Sequence, residues 1–288
     1  MVKFPKAQTG SRRWSDARRF RGWVASWLQD RRRGRRPVPG ESAVPPLGNL
    51  RLWLAPDFLT ELPGEDVLYW PDLSAQSNDL GEHTTVVVYP VRSDSEYNGY
   101  AGVKFARRDL EWNDTIGALQ SNAPVWSGAE ARSLYVVYAL NDVEGYGYFD
   151  YDFGQYYMAA IAGQMTPIVN QSWILMERPD VGPGQMPYLA GWASDFGFGN
   201  SQEFDAPRLA TVTYDGTNGR GYVNCILNAT SAKSYNTAPL ELSVGVLNDG
   251  QYPLFGDVLE LLAYGEVHNS TTRAAIESYL MNKYGITP

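Results

Sequence analysis

The chain has 288 residues, 44% apolar and 13% aromatic, enough for one large sandwich or two average domains with packed cores, which excludes a disordered protein. Its net charge of -8 hides a split: residues 1–40 hold 12 Lys+Arg against 2 Asp, residues 41–288 hold 12 against 30 acidic groups, and the local charges are +10 and -18. The single Cys225 excludes an intrachain disulfide, no stretch approaches the ~18 apolar residues of a membrane span, and the acidic part is a poor candidate for wrapping nucleic acid.

From Ser11 to Arg33, Trp14, Ala17, Phe20, Val24, Trp27 and Leu28 fall at steps of three and four, with arginines on the other faces. This predicts a basic amphipathic helix. It ends at Gly34-Arg35-Arg36-Pro37-Val38-Pro39-Gly40, and Pro45-Pro46 and Gly48 follow, so residues 1–46 read as an arm with a Pro/Gly linker and residues 47–288 as the body. Ser11-Arg12-Arg13 could pass for a secretory or twin-arginine signal, but its apolar stretch is short and runs into Asp30-Arg31-Arg32-Arg33, so Met1 is expected to begin the mature chain. Trp14, Arg18, Arg19, Phe20, Trp23, Trp27, Arg31, Arg32 and Arg33 are the candidate partner-binding residues of the arm. Aromatic and Arg residues are what protein interfaces use as anchors, so docking on another protein is the favoured reading, with nucleic acid, a membrane surface and intramolecular packing as alternatives.

Short β-branched and aromatic stretches follow: Leu50 to Leu54, Thr84 to Tyr89, Gly102 to Phe105, Ser133 to Leu140, Gln171 to Met176, Leu209 to Tyr214, Gly221 to Leu227, Leu242 to Val246 and Val258 to Tyr264. Many strands without long helical patterns between them predict an antiparallel sandwich. Asp215-Gly216-Thr217-Asn218-Gly219 is a hairpin signal, and Cys225 in Val223-Asn224-Cys225-Ile226 reads as a small buried strand residue. Between Tyr146 and Tyr157 aromatic and acidic residues alternate, which as one strand puts Tyr148, Asp150 and Asp152 on one face. That face is either a saccharide platform, with aromatic rings under the sugar and carboxylates on its hydroxyls, or the acidic outer side of a core strand or subunit contact. Met186 to Phe204, read as a Gly-rich loop with Trp192, Asp195 and Asn200, is open to the same readings. One helix closes the chain, capped by Asn269 or Ser270, with Ala274, Ile276, Tyr279 and Leu280 as its apolar stripe and Gly285 as its end.

Leu52-Trp53-Leu54-Ala55-Pro56-Asp57, Tyr69 to Ser74 with Asn78-Asp79-Leu80, Ala101 to Phe105, the hairpin Leu209 to Cys225, and Phe255 to Tyr264 followed by Arg273, Glu277, Tyr279-Leu280 and Lys283 to Ile286 together resemble the LamG-like branch of the concanavalin A-like lectin/glucanase superfamily, as found in bacteriophage virion proteins and bacterial surface proteins. Cys225 departs from that family's usual Gly. The resemblance implies an all-β antiparallel jelly-roll sandwich with the helix at its C-terminal end, and it specifies a fold far better than a function.

Glycosidases on such a fold carry paired carboxylates written E-x-D-x-x-E or E-x-D-x-E, and neither occurs here. Asp257 and Glu260, three apart, would face opposite ways on a regular strand, so Glu260 reads as a structural carboxylate between strand and final helix. His83 and His268 lie in no recognisable motif and read as surface or capping residues, so the chain is expected not to be an enzyme. No cofactor is expected; calcium, needing only oxygens, stays open at Asp150 and Asp152, with Asp195 and Asn200 as looser candidates. The expectation is a non-catalytic virion structural protein of a tailed phage, a decoration, head-fibre or tail-associated subunit and homo-oligomer, anchored to other virion proteins by its arm. A carbohydrate-binding adhesin of a bacterial cell or phage surface, recognising polysaccharide, is the first alternative and a polysaccharide-active enzyme the second.

Overall fold

A computed structural model describes residues 45–288, except 87, 95, 108–114, 142–148, 151–154, 157–158, 180–184 and 200–203. The expected arm helix lies outside the described residues. Two antiparallel sheets build an all-β sandwich. The first is ordered β17 (Ile226–Ala232), β16 (Asn218–Val223), β15 (Arg208–Tyr214), β8 (Arg132–Leu140), β19 (Gly256–Tyr264), β4 (Val103–Lys104) and β3 (Val91–Arg92), with β1 (Leu50–Leu54) pairing the far part of β19. The second is ordered β14 (Phe196–Gly197), β13 (Gln185–Ala190), β12 (Trp173–Pro179), β11 (Ala159–Gln164), β18 (Glu241–Val244), β7 (Leu119–Pro124) and β2 (Leu80–Glu82). Two short ribbons join β5 (Ala106–Arg107) to β6 (Thr115–Ile116) and β9 (Phe149–Asp150) to β10 (Gln155–Tyr156).

The period of two sorts the core. Leu134, Val136, Tyr138 and Leu140 of β8 alternate inward and meet Ile161, Trp173, Leu175, Leu242 and Val244 from the opposite sheet. Yet β8 and β19 are buried along their whole length, so their outer face is covered as well. The cover is α1 (Ser270–Tyr284), which lays Ile276, Tyr279, Leu280 and Tyr284 inward. Ala274, expected in that stripe, is exposed. Asn269 caps the helix by accepting from the Thr272 N–H at 2.9 Å, and Gly285 ends it at φ 68°, where a Cβ would be strained.

Glu260 fastens helix to sheet. Its carboxylate accepts from Trp53 Nε1 (2.8 Å), Tyr279 OH (2.8 Å), Lys283 Nζ (2.7 Å) and Tyr284 OH (3.0 Å), and Lys283 also meets Asp57 at 2.7 Å. Burial works against the Lys283 charge, but Glu260 and Asp57 outweigh it and hold the ammonium above its usual range. The structural reading of Glu260 therefore stands. Its supporting premise does not: the β19 register shifts between Val258 and Glu260, so the strand is not regular there, and Asp257 finds its own partner in Tyr97 OH at 3.1 Å.

Other expectations are redrawn. Thr84 to Tyr89 forms no strand among its described residues, only an isolated bridge from Val88 to Gly117. Gly221 to Leu227 is not one strand but the tip of the β16–β17 hairpin, turning at Asn224 (φ 46°) and Cys225 (φ 70°). Cys225 is thus a half-buried turn residue in the left-handed region, where a Gly would sit without strain. Tyr146 to Tyr157 is not one strand either, since Phe149–Asp150 turns back on Gln155–Tyr156, and the supposed loop Met186 to Phe204 contributes to two strands of the second sheet. The Asp215 hairpin forms as expected, with Gly216 at φ 96° and Asp215 Oδ1 accepting from Thr217 N and Asn218 N.

Candidate functional site

Loops at the two ends of a sandwich are free to vary while the sheets hold them in place, so the ends are where sites are sought. At one end converge the last residues of β7, β11 and β13 and the first of β12 and β18, because Gln164 pairs with Trp173, Ile174 with Ala190 and Pro124 with Glu241. Its floor is built around Arg132 of β8. This guanidinium, fully buried, donates to the carbonyls of Glu130 (3.0 Å) and Gly128 (2.7 Å) and to Thr237 Oγ1 (2.8 Å). It also lies 5.4 Å from the Trp173 ring and 5.5 Å from that of Tyr214. Burial is the largest influence on it and lowers its pKa to about 10, so it keeps its charge at neutral pH. Trp126 packs edge-on to Trp173 at 4.7 Å and Tyr235 edge-on to Tyr214 at 5.0 Å.

On this rigid floor stands an exposed apolar group. Trp192 is 43% exposed, Ile168 50% and Val169 55%. The 168–170 turn is tied to the Trp192 turn, since Asn170 N donates to Gly191 O at 3.0 Å, and Asn236 N donates to Asn170 O at 2.7 Å. Asp195 Oδ1 accepts from Gly191 N at 2.7 Å and Tyr235 OH donates to Ser194 O at 3.0 Å, which closes the turn around the tryptophan. Trp192 and Ala193 both take positive φ, 53° and 62°. Two consecutive non-glycine residues in that region cost on the order of 1–3 kcal/mol each, so the surroundings hold this indole outward against local preference.

The opposite end carries a buried polar cluster. Glu177 of β12 reaches between the sheets, where its Oε1 accepts from Tyr138 OH and from Arg208 Nη1 at 3.1 Å, while Oε2 has no hydrogen-bond partner. Burial pushes the Glu177 carboxyl up to about 7, against the opposing pull of Arg208 and Tyr138. A carboxyl titrating near neutrality is a recurrent property of acid–base groups, and a buried ion pair with one loose oxygen shows it too.

Of the residues singled out from sequence, Trp192 and Asp195 share one turn. Asp150 lies in β9, in a ribbon between Leu140 of β8 and Ala159 of β11, and Ala159 pairs with Glu177, so by connectivity it belongs to the other end. Tyr148, Asp152, Asn200 and all the arm residues from Trp14 to Arg33 lie outside the described residues. Both histidines, expected at the surface, are buried: His83 beside Ser243 Oγ (3.2 Å) and His268 beside Tyr135 OH (2.9 Å), and burial lowers the pKa of each. Among the described residues no group of three or more His, Cys, Asp and Glu could hold a metal, and no helix is long and apolar enough to cross a membrane. Sequence reasoning missed Arg132, Tyr235 and the Ile168-Val169 pair. Only the last left a signal, two aliphatics beside Pro167 in a turn.

No protein-family model matches the chain, and no curated protein matches its sequence. Solved structures do match. A GH54 α-L-arabinofuranosidase mutant soaked with 4-nitrophenyl α-L-arabinofuranoside aligns at TM-score 0.55 and 12% identity over 76% of this chain and 51% of its own. The binding domain of Paraclostridial Mosquitocidal Protein 1 aligns at 0.56 and 10% identity over 82% and 53%, and Trypanosoma rangeli sialidase with the inhibitor DANA at 0.52 and 15% over 85% and 35%. The chain therefore spans about half of the first and second of these proteins and about a third of the last. The expectation that the chain is not an enzyme is corrected by these matches: two of the three are glycosidases, so the absence of the E-x-D motifs does not set this fold apart from catalysis. At such identities the likeness shows a fold, an all-β sandwich shared with two glycosidases and the binding domain of a mosquitocidal protein, without singling out the LamG-like jelly roll.

Proposed function

We propose that the β-sandwich recognises carbohydrate through the end that carries Trp192. The observation that carries this reading is an indole held out into solvent by a strained, hydrogen-bonded turn on a buried Trp/Tyr/Arg floor. An exposed ring fixed in place loses little entropy when a sugar stacks on it, and Asp195 and Asn170 supply polar groups at its rim. The fold's use by glycosidases and by the binding domain of a mosquitocidal protein agrees with this. Glycan-array binding followed by titration tests it: Trp192→Ala should weaken binding about tenfold, near 1.4 kcal/mol, with an unchanged melting temperature. Wild-type affinity in that variant would refute the site, and product detection in the same assay reports whether bound glycan is cleaved.

The setting we propose is a tailed-phage virion, with residues 1–46 docked on other virion proteins and the sandwich displayed as a homo-oligomeric lectin-like jelly roll. The +10 arm against the -18 body supports it, as does the resemblance of the strand and helix motifs to virion and surface proteins. Mass spectrometry of purified particles separates this from a bacterial cell-surface adhesin.

A further inference from the structure

Beside the Arg132 floor lies a cavity of about 330 Å³ lined by Asn49, Leu50, Arg51, Gln76, Asn78, Pro124 and Val125. Three of these are amides and one a guanidinium, the side chains that serve hydroxyl-rich ligands, since each amide both donates and accepts. The wall is braced. Arg51 donates to Val125 O at 2.8 Å and to Glu130 through both terminal nitrogens, at 2.8 and 2.6 Å, and Asn78 Nδ2 donates to Arg51 O at 2.8 Å.

The sheet order fixes where this cavity stands relative to Trp192. Pro124 ends β7 and Trp192 follows β13, and the strands run β13, β12, β11, β18, β7 with these ends on the same side. Four strand spacings of ~4.8 Å separate the two features by roughly 19 Å. The rim between them is continuous, because Gly128 and Thr237 exchange backbone hydrogen bonds and Asn236 bonds to Asn170.

Building on the carbohydrate reading of the Trp192 end, we infer that the cavity is a second subsite of the same site, so that the ligand is an extended oligosaccharide several sugars long. One ring stacks on Trp192 while another, further along the chain, fills the amide-lined cavity. Gln76→Trp is the variant to narrow the cavity, because Gln76 is exposed and the hydrogen bond it makes to Ser74 Oγ comes from its backbone N–H.

The probes are size ladders of linear xylo-, arabino-, gluco- and chito-oligosaccharides, from the disaccharide upward, titrated against the full chain. Affinity should rise stepwise, by about tenfold or more, once a ladder is long enough to bridge both features. Gln76→Trp should remove that step and leave short-chain affinity unchanged, whereas Trp192→Ala should weaken short and long chains alike. Long chains should also shift the side-chain amide NMR signals of Gln76 and Asn78, and short ones should not. Affinity flat in chain length and indifferent to Gln76→Trp, with Trp192→Ala still weakening it, overturns the subsite and leaves the Trp192 reading intact. Absence of binding by every ladder overturns both.

Discussion

Replacing Glu177 by Gln removes the ionisable group between the two sheets at the far end, and the structure sets the size and sign of the effect. The carboxyl is fully buried and its pKa rises from 4.5 to about 7, with burial the largest cause. A folded-state value above the unfolded one means that the native state holds the extra proton. The stabilising contribution is therefore complete below about pH 4.5 and is lost as pH rises through 7. The gap corresponds to roughly 3 kcal/mol, or about 6–12 °C in melting temperature for a domain of this size. Gln cannot ionise and keeps an acceptor for Tyr138 and Arg208. Urea denaturation of both proteins from pH 4 to 8 should show the variant gaining on wild type by that amount as pH rises. A stability difference constant with pH would refute the reasoning and mean that Arg208 keeps Glu177 charged throughout.

Lys283→Ala leaves Glu260 buried with its cationic partner gone and should cost about 3–5 kcal/mol in chemical denaturation; Lys283→Met with Glu260→Gln should recover part of that. Cys225→Gly relieves a positive φ at the β16–β17 turn and should raise stability by about 1 kcal/mol, and a lower melting temperature would show that the sulfur contact with Met281 outweighs the strain. Deleting residues 270–288 uncovers the outer face of β8, β15 and β19 and should give insoluble protein, whereas soluble, cooperatively unfolding material would make the helix peripheral.

Long strands buried on both sides were legible because they leave runs that nothing else explains: Leu50–Leu54 lies where the pattern put it, and β8, β15 and β19 start one or two residues early. The helix was legible for the same reason, with its cap, stripe and Gly285 stop all local. What failed was non-local. The turn at Asn224–Cys225 lacks the glycine that would have marked it, and β7, β11 and β13 carry Ala, Gln, Ser and Pro that read as strand only once neighbouring strands flank them. The candidate site was half legible. Trp192 and Asp195 stood out by composition, but their floor comes from Trp126, Arg132, Trp173, Tyr214 and Tyr235, spread over more than a hundred residues. The sequence offered Asp150 and Trp192 as candidates in two separate stretches, and nothing in it said that strand connectivity would send them to opposite ends.

The charge split leads to a prediction about the arm. A +10 segment carried on a body of -18 is a device for choosing partners as much as for adhering to them. Phosphate contacts weaken steeply with salt because counterions are released, while an aromatic face in a protein groove does not. The aromatic set Trp14, Phe20, Trp23 and Trp27 matches the second case. Residues 47–288 produced alone should fold as a monodisperse sandwich with unchanged glycan binding, since every residue named at the Trp192 end lies within that fragment. That fragment should fail to enter particles. Trp23→Ala with Trp27→Ala in the full chain should lower incorporation several-fold without shifting the melt, and raising salt from 50 to 500 mM should lower it only modestly. Incorporation of the truncated sandwich at full occupancy would remove the arm as anchor and leave glycan recognition as the body's own means of attachment.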